Sequence, residues 1–488
     1  MNTSDTLPAA RYYSLAWEIP SDFAGMTTAL LRRGSAFERV AGRAVDVLTF
    51  DARPHYPELE RSLRERGMLS PAARLINLWD WLREHPATGR DIALAPELFD
   101  PLAPLPQYAT TERNGAVLTR ARMSASGDIL QLDHYRTDGS LLASDRRDVT
   151  RPGTLGGRSI VLCDPAGRPV RHWRSAGDLY RRWLDLLCGG SRAVMIVDSK
   201  TTARFMLDYR RRNVTIVHVL HGSHLDDRRE ELRASRRDVV TRLGEFDLIV
   251  TLTATQKRDL EARFPRLRNV VCIPHSVADS AGVADPASPG LPPTRDPAAV
   301  AVVAALIPRK RVSHAIRAAA ALRESPRRPR LVVYGDGPQR PKLEQLIARL
   351  DARDIVALAG HVPGAAERLE TARALLLTSH SEGFGLVLLE AMAHGCIPIA
   401  YDVPYGPADI IENGVNGFLV EEGDLGALAA RLAEVLAMEP DEIERMRAAG
   451  RATVAQHSDE AVTAQWGAAL RGVLDRPGWF ARLARSTA

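Results

Sequence analysis

The stretch Ser381-Glu382-Gly383-Phe384-Gly385-Leu386-Val387-Leu388-Leu389-Glu390-Ala391-Met392 decides how the chain is read. An acid opens a short glycine-rich turn, an apolar run with helical spacing follows, and a second acid stands eight positions after the first. At 3.6 residues per turn, Glu390 falls about two helical turns beyond Glu382. A turn that leads into a helix presents unpaired backbone N–H groups, and the helix dipole favours anionic phosphate there. Gly383 and Gly385 let a ligand approach the backbone closely. Two carboxylates beside that N-terminus can accept hydrogen bonds from sugar and ribose hydroxyls. The combination suits a ligand carrying both phosphate and sugar, such as a nucleotide sugar.

Outward from this stretch, residues 299–306, 331–334, 355–358, 374–378 and 397–400 read as strands, with helices between them and a helical run over 440–456. Near-continuous apolar runs of this kind suit parallel strands covered on both faces. The same texture appears earlier, at 193–198, 214–221, 248–252 and 270–273. The chain opens with strands at 12–17 and 45–50 around a helix over 29–37, a βαβ beginning. Residues 106–189 differ. Strands at 117–122, 129–136, 141–147, 159–164 and 170–173 alternate with turns such as Ser126-Gly127-Asp128 and Asp138-Gly139-Ser140, which spells an antiparallel meander. Residues 278–297, with five prolines and two glycines, read as a linker. The division expected is therefore 1–105 with 190–285 as a first doubly wound domain, 106–189 as a β-rich insertion in it, 298–458 as a second doubly wound domain, and 459–488 as a terminal helix crossing back to the first.

Composition narrows the class. A chain of 488 residues exceeds one ordinary core, and 45% hydrophobic with 26% charged residues is normal for a soluble globular protein. A net charge of +5 gives no argument for a nucleic-acid partner, and Arg210-Arg211-Arg212 and Arg228-Arg229 read as solvated helix ends. The cysteines 163, 188, 272 and 396 lack metal-ligand spacing; Cys272 and Cys396, in apolar runs, are expected to be reduced core residues. No apolar run approaches ~18 residues, so a soluble, cytoplasmic protein is expected, with peripheral membrane contact left open.

The stretch around Glu382 resembles the Glu-x7-Glu motif of retaining GT-B glycosyltransferases, family 4. The segments Tyr405-Gly406-Pro407-Ala408-Asp409 and Asn416-Gly417-Phe418 follow in that family's order. The Tyr-Gly-Pro form is similar to the branch of poly(glycerol-phosphate) α-glucosyltransferases and the transferases that glycosylate serine-rich adhesins. The resemblance implies an α/β GT-B fold, a UDP-sugar donor, a hydroxyl acceptor, and no cofactor or metal ion. It implies that Glu382 holds the donor sugar, that Gly383, Phe384, Gly385 and Leu386 offer the backbone around the phosphates, and that Glu390 holds the ribose. Lys310, at the end of Ile307-Pro308-Arg309-Lys310, would neutralise the departing diphosphate. An arginine five positions earlier is usual in such enzymes; here that position is Ala305. Gly335, Gly337 and His361 would frame the nucleotide, and Gly25 the first βα loop. His221, with His224 second, would lie close to the transferred sugar after domain closure. The meander resembles insertions associated with self-assembly, which implies a homo-oligomer. Two alternatives remain: a non-catalytic acceptor-binding partner of a related transferase, which Ala305 invites, and an α-glucan phosphorylase, for which no lysine in a pyridoxal-phosphate context speaks.

Overall fold

The computed structural model describes residues 6–20, 25–277 and 295–475. The expected linker at 278–297 lies almost wholly outside them, as do the loop residues 21–24 and the end of the terminal segment from 476 on.

Contacts gather the described chain into two compact units, one of residues 8–218 with 245–247, the other of 6–7, 219–244 and 248–475. The first holds a parallel sheet whose strands are β1 (Arg11–Leu15), β2 (Val45–Thr49) and β3 (Leu75–Asn77), followed much later by two more. Between them runs the antiparallel meander of β4 (Ala109–Arg113), β5 (Ala116–Met123), β6 (Ile129–Tyr135), β7 (Leu141–Arg146), β8 (Ser159–Cys163) and β9 (Pro169–Trp173), each strand paired to the next. The parallel sheet resumes with β10 (Ala193–Val197) and β11 (Val214–Leu220), in the order β11-β10-β1-β2-β3. Every residue of β10 and β11 is buried, which is why both read as unbroken apolar runs.

The meander explains part of the arginine content. Asp145 accepts from Arg147 and Arg158, and Asp148 from Arg122 and Arg146, all within 2.8–3.1 Å. Burial works against the Asp148 carboxylate, but its hydrogen bonds to both guanidiniums outweigh it and pull the acid down to about 2. Arg210 and Arg211 are also paired, with Glu245 and Asp185. The expected insertion does not end in strands. It closes with a helix, Ala176–Cys188, capped by the Ser175 hydroxyl and stopped by Gly189 at φ 53°.

The second unit carries the short parallel pair β12 (Leu248–Thr251) and β13 (Val270–Cys272), and a six-stranded parallel sheet. Its strands are β14 (Ala299–Val303), β15 (Arg330–Tyr334), β16 (Val356–Gly360), β17 (Ala374–Leu377), β18 (Ile397–Asp402) and β19 (Phe418–Glu421). Their order is β16-β15-β14-β17-β18-β19. From β14 the chain first builds outward through β15 and β16, then returns to β17 and builds the other way. Side chains such as Val302, Val333, Leu376 and Ile399 form one core with helices on the sheet. Cys396 is buried as expected, whereas Cys272 is only half-buried. The described part of the terminal segment is a helix, Asp459–Leu474, whose Gly467 packs directly against the Thr6 carbonyl.

Candidate functional site

In open α/β sheets, ligands bind beyond the carboxyl ends of strands where the strand order reverses. In the second sheet that point lies between β14 and β17. Lys310 follows β14, in a single 3₁₀ turn, Pro308–Lys310. The Glu382 turn follows β17. The two exits are tied together: the Thr378 hydroxyl donates to the carbonyls of Lys310 and Arg311 at 3.2 and 3.0 Å, and the His380 N–H donates to the Arg309 carbonyl at 2.8 Å. Lys310 Nζ stands 2.5 Å from Glu382 Oε1, and the Glu382 side chain is only 8% exposed. Arg309 donates to the Ser381 carbonyl at 2.8 Å and lies 3.8 Å from the same carboxylate. Arg311 turns elsewhere, to Glu422 at 2.8 Å. Ala305, where the resemblance leads one to look for an arginine, is exposed.

The helix begins where the glycine-rich turn ends. It spans Leu386–Ala393, so Glu382 lies in the turn before it and only Glu390 is helical. Gly385 caps it at φ 85°, and among the described residues no side chain bonds to its first N–H groups. Those groups are the ones a phosphate can take. Glu390 is half-buried on this helix. Gly383 is a glycine for a reason of close approach: a Cβ there would overlap the His221 carbonyl oxygen. The His221 backbone therefore abuts the turn. The His221 ring stacks near His275 at 5.3 Å, and His275 meets the edge of the buried Phe384. Gly406, in the Tyr-Gly-Pro segment, sits at φ 110° with its α-carbon against the Phe384 carbonyl.

Gly335 and Gly337 close the end of β15 at φ 144° and 154°; side chains there would strike the carbonyls of Ala304 and Leu306. Their glycine identity is accounted for by strand packing. His361 is exposed just after β16, joined to that turn through the Gly335 N–H bond to the Gly360 carbonyl. Gly25 belongs to the other compact unit, where it precedes helix Met26–Ala41 at φ 58° with open space around it.

Several residues beside the turn escaped the sequence reading. Glu422 accepts from His380 Nδ1 at 2.5 Å and from Arg229 at 2.5 Å. Burial opposes the Glu422 carboxylate, but those bonds and the Arg229 charge hold it below its ordinary value. Arg228-Arg229 is thus not merely a solvated end. Tyr405 donates to Asp259 at 2.8 Å. Arg229 and Glu422 are 193 positions apart, a separation at which no local pattern could have joined them.

The model for glycosyl transferases group 1 matches residues 288–453, the part that holds Lys310, Glu382 and Glu390. A poly(ribitol-phosphate) α-N-acetylglucosaminyltransferase of Staphylococcus aureus is 19% identical over 93% of this chain and 98% of its own length. An exopolysaccharide phosphotransferase of Streptomyces coelicolor is 42% identical, but over 27% of this chain, which spans only 14% of that protein. Among solved structures, S. aureus TarM, as a variant in complex with fondaparinux, α-GlcNAc-glycerol and UDP, superimposes with a TM-score of 0.78 at 18% identity, covering 94% of this chain and 99% of TarM. The fold is GT-B.

Proposed function

From the premise that residues 288–453 are a glycosyl transferases group 1 domain, set in a GT-B chain, we propose that this protein is an enzyme that transfers a hexose, glucose or N-acetylglucosamine, from a UDP-sugar to a hydroxyl acceptor with retention of configuration. The observation that carries the reading is the Lys310–Glu382 pair at the strand-order reversal, beside a helix N-terminus that no side chain caps. Glu382 accepts hydroxyls of the donor sugar, Glu390 those of the ribose, and Lys310 with the N–H groups near Gly385 takes the charge that grows on the diphosphate. The bond from the anomeric carbon to the phosphate oxygen breaks, the acceptor oxygen bonds to that carbon on the same face, and the acceptor proton passes to the leaving phosphate. The UDP seen with TarM and the polymer acceptor in the name of the S. aureus relative support a UDP-sugar and a teichoic-acid-like polymer, with glycoprotein or natural-product acceptors in the same chemical class.

Donor binding and slow donor hydrolysis by the purified chain, across UDP-, GDP- and ADP-sugars, test this. One nucleotide sugar should bind and turn over, and Glu390→Ala should weaken its binding at least about tenfold, the loss of a charged hydrogen-bonding pair. A chain that neither binds nor hydrolyses any of them is not the transferase; exposed Ala305 then favours the second reading, a non-catalytic partner of an active chain.

The same reading assigns self-association to the meander. Light scattering of the intact protein should give a multiple of the 53.5 kDa chain mass, and of a chain lacking 106–173 the single mass. A monomeric intact protein would remove this part.

A further inference from the structure

A cavity of about 540 Å³ opens beside the Glu382 turn. It is of the size that small-molecule sites take. Neither Lys310 nor Glu390 lines it. Its walls are the segment after β11, the end of helix Ala254–Arg263, and the residues that flank Glu382 on two sides, Ser381 and Pro404–Tyr405. Glu382 is held between those flanks, its N–H donating to the Pro404 carbonyl and its own carbonyl accepting from the Tyr405 N–H. A molecule in the cavity therefore rests against the loop that presents Glu382.

The lining has a particular chemistry. His224 is fully buried there, stacked on the Tyr405 ring at 5.8 Å and 7°. Its Nδ1 is 3.4 Å from the Tyr405 hydroxyl, and its Nε2 has no hydrogen-bond partner. Burial keeps the imidazole neutral down to about pH 4; with the Tyr405 proton given to Asp259, Nδ1 is the donor to the Tyr405 oxygen, and the ring brings no charge to the lining. The charges around it cancel: Arg229 and Arg263 face Asp226 and Asp259. Arg229 is already bound to Glu422, Asp226 accepts the N–H groups of Glu230 and Glu231, and Asp259 has one oxygen on Tyr405. An anion would meet two carboxylates, and a cation two guanidiniums. A hydroxyl donates and accepts at once and can satisfy both kinds of group.

We propose that this cavity seats an uncharged, polyhydroxylated unit of the acceptor, a hexose or an alditol, and holds one of its hydroxyls toward the Glu382 turn. The inference rests on the reading of that turn as the donor site. It makes the phosphates of any polymeric acceptor lie outside the cavity.

Binding of neutral probes to the full chain tests it without requiring turnover. The probes are ribitol and methyl α-glucoside, with glycerol phosphate and inorganic phosphate as charged counterparts, read by ligand-observed NMR or calorimetry. The variants are Ala262→Trp, an exposed helix position whose new ring fills the cavity, and the near-isosteric Asp259→Asn, which keeps the shape. Each variant's UDP affinity and melting temperature report whether it is folded. One or both neutral probes should bind the wild type, and binding should fall at least tenfold in Ala262→Trp with UDP affinity retained. Equal probe binding in the plugged variant overturns the proposal. So does preference for the charged probes, or the absence of any neutral-probe binding to the wild type. If Ala262→Trp does not fold, Asp259→Asn decides by the same tenfold criterion. Failure of UDP-sugars to bind the wild type would count against the transferase reading; failure of the neutral probes alone would count only against this cavity.

Discussion

Lys310→Ala is expected to reduce the turnover number for sugar transfer by roughly 10²–10³-fold, the scale on which removing one preorganised electrostatic contact to a developing charge acts. The geometry gives two routes to that loss. The ammonium is the cation closest to Glu382, and a tight 3₁₀ turn, held by Thr378 through two carbonyls, fixes where it points. On the proposed reading, a diphosphate would then keep the helix N-terminus but lose the Lys310 charge. Glu382 also loses its partner in surroundings where its side chain is 8% exposed. Breaking a buried pair by removing one member costs about 3–5 kcal/mol, but Arg309, at 3.8 Å from the carboxylate, can take up part of the charge. The melting temperature should therefore fall only moderately while turnover collapses. A turnover number within about threefold of wild type would show that Lys310 does not face the leaving group.

Gly383→Ala is the second large effect. The new methyl would have to occupy the place of the His221 carbonyl oxygen, and backbone rather than a mobile side chain stands in its way. Either the turn withdraws from the end of β11 or that strand exit moves. Overpacking of this sort costs about 1–3 kcal/mol. The larger consequence is positional, because Glu382 is the adjacent residue and a displacement of about 1 Å near reacting groups can cost about 10²-fold in rate. Gly414→Ala is the comparison. Gly414 has a φ of 80° but nothing within 4 Å of the added carbon, so it bears backbone strain alone. Stability should drop in both variants and donor turnover only in Gly383→Ala. Equal turnover in the two would mean that the contact with His221 does not set the geometry of the turn.

These effects also show which parts of the molecule were legible in the sequence. β10, β11 and β17 announce themselves because burial on both faces demands apolar residues at every position. The Glu382 turn was legible because its glycines, acids and apolar run are contiguous. β4 was missed for the opposite reason: Ala-Thr-Thr-Glu-Arg is an exposed edge strand with little to bury. β3, at three residues, is too short for a period to show. Gly335 and Gly337 were read for a ligand alone, and the packing of β14 on β15 adds a second demand for glycine at both positions, which no spacing shows. His224, Asp259, Arg229 and Glu422 gather beside the turn from distant parts of the chain, and no spacing rule could have collected them.

The bond between Lys310 and Glu382 bears on how a catalytic cycle ends. The two side chains satisfy each other. On the proposed reading a complete donor would separate them by giving each something better: negative oxygens to the ammonium, hydroxyls to the carboxylate. Once the sugar has left, only the first of these remains, and Glu382 is again without a donor in a nearly dry place. The carboxylate then competes with the spent nucleotide for the same ammonium. Recapture of Lys310 would help to expel the product, so that the protein holds an intact substrate more firmly than the fragment it leaves behind.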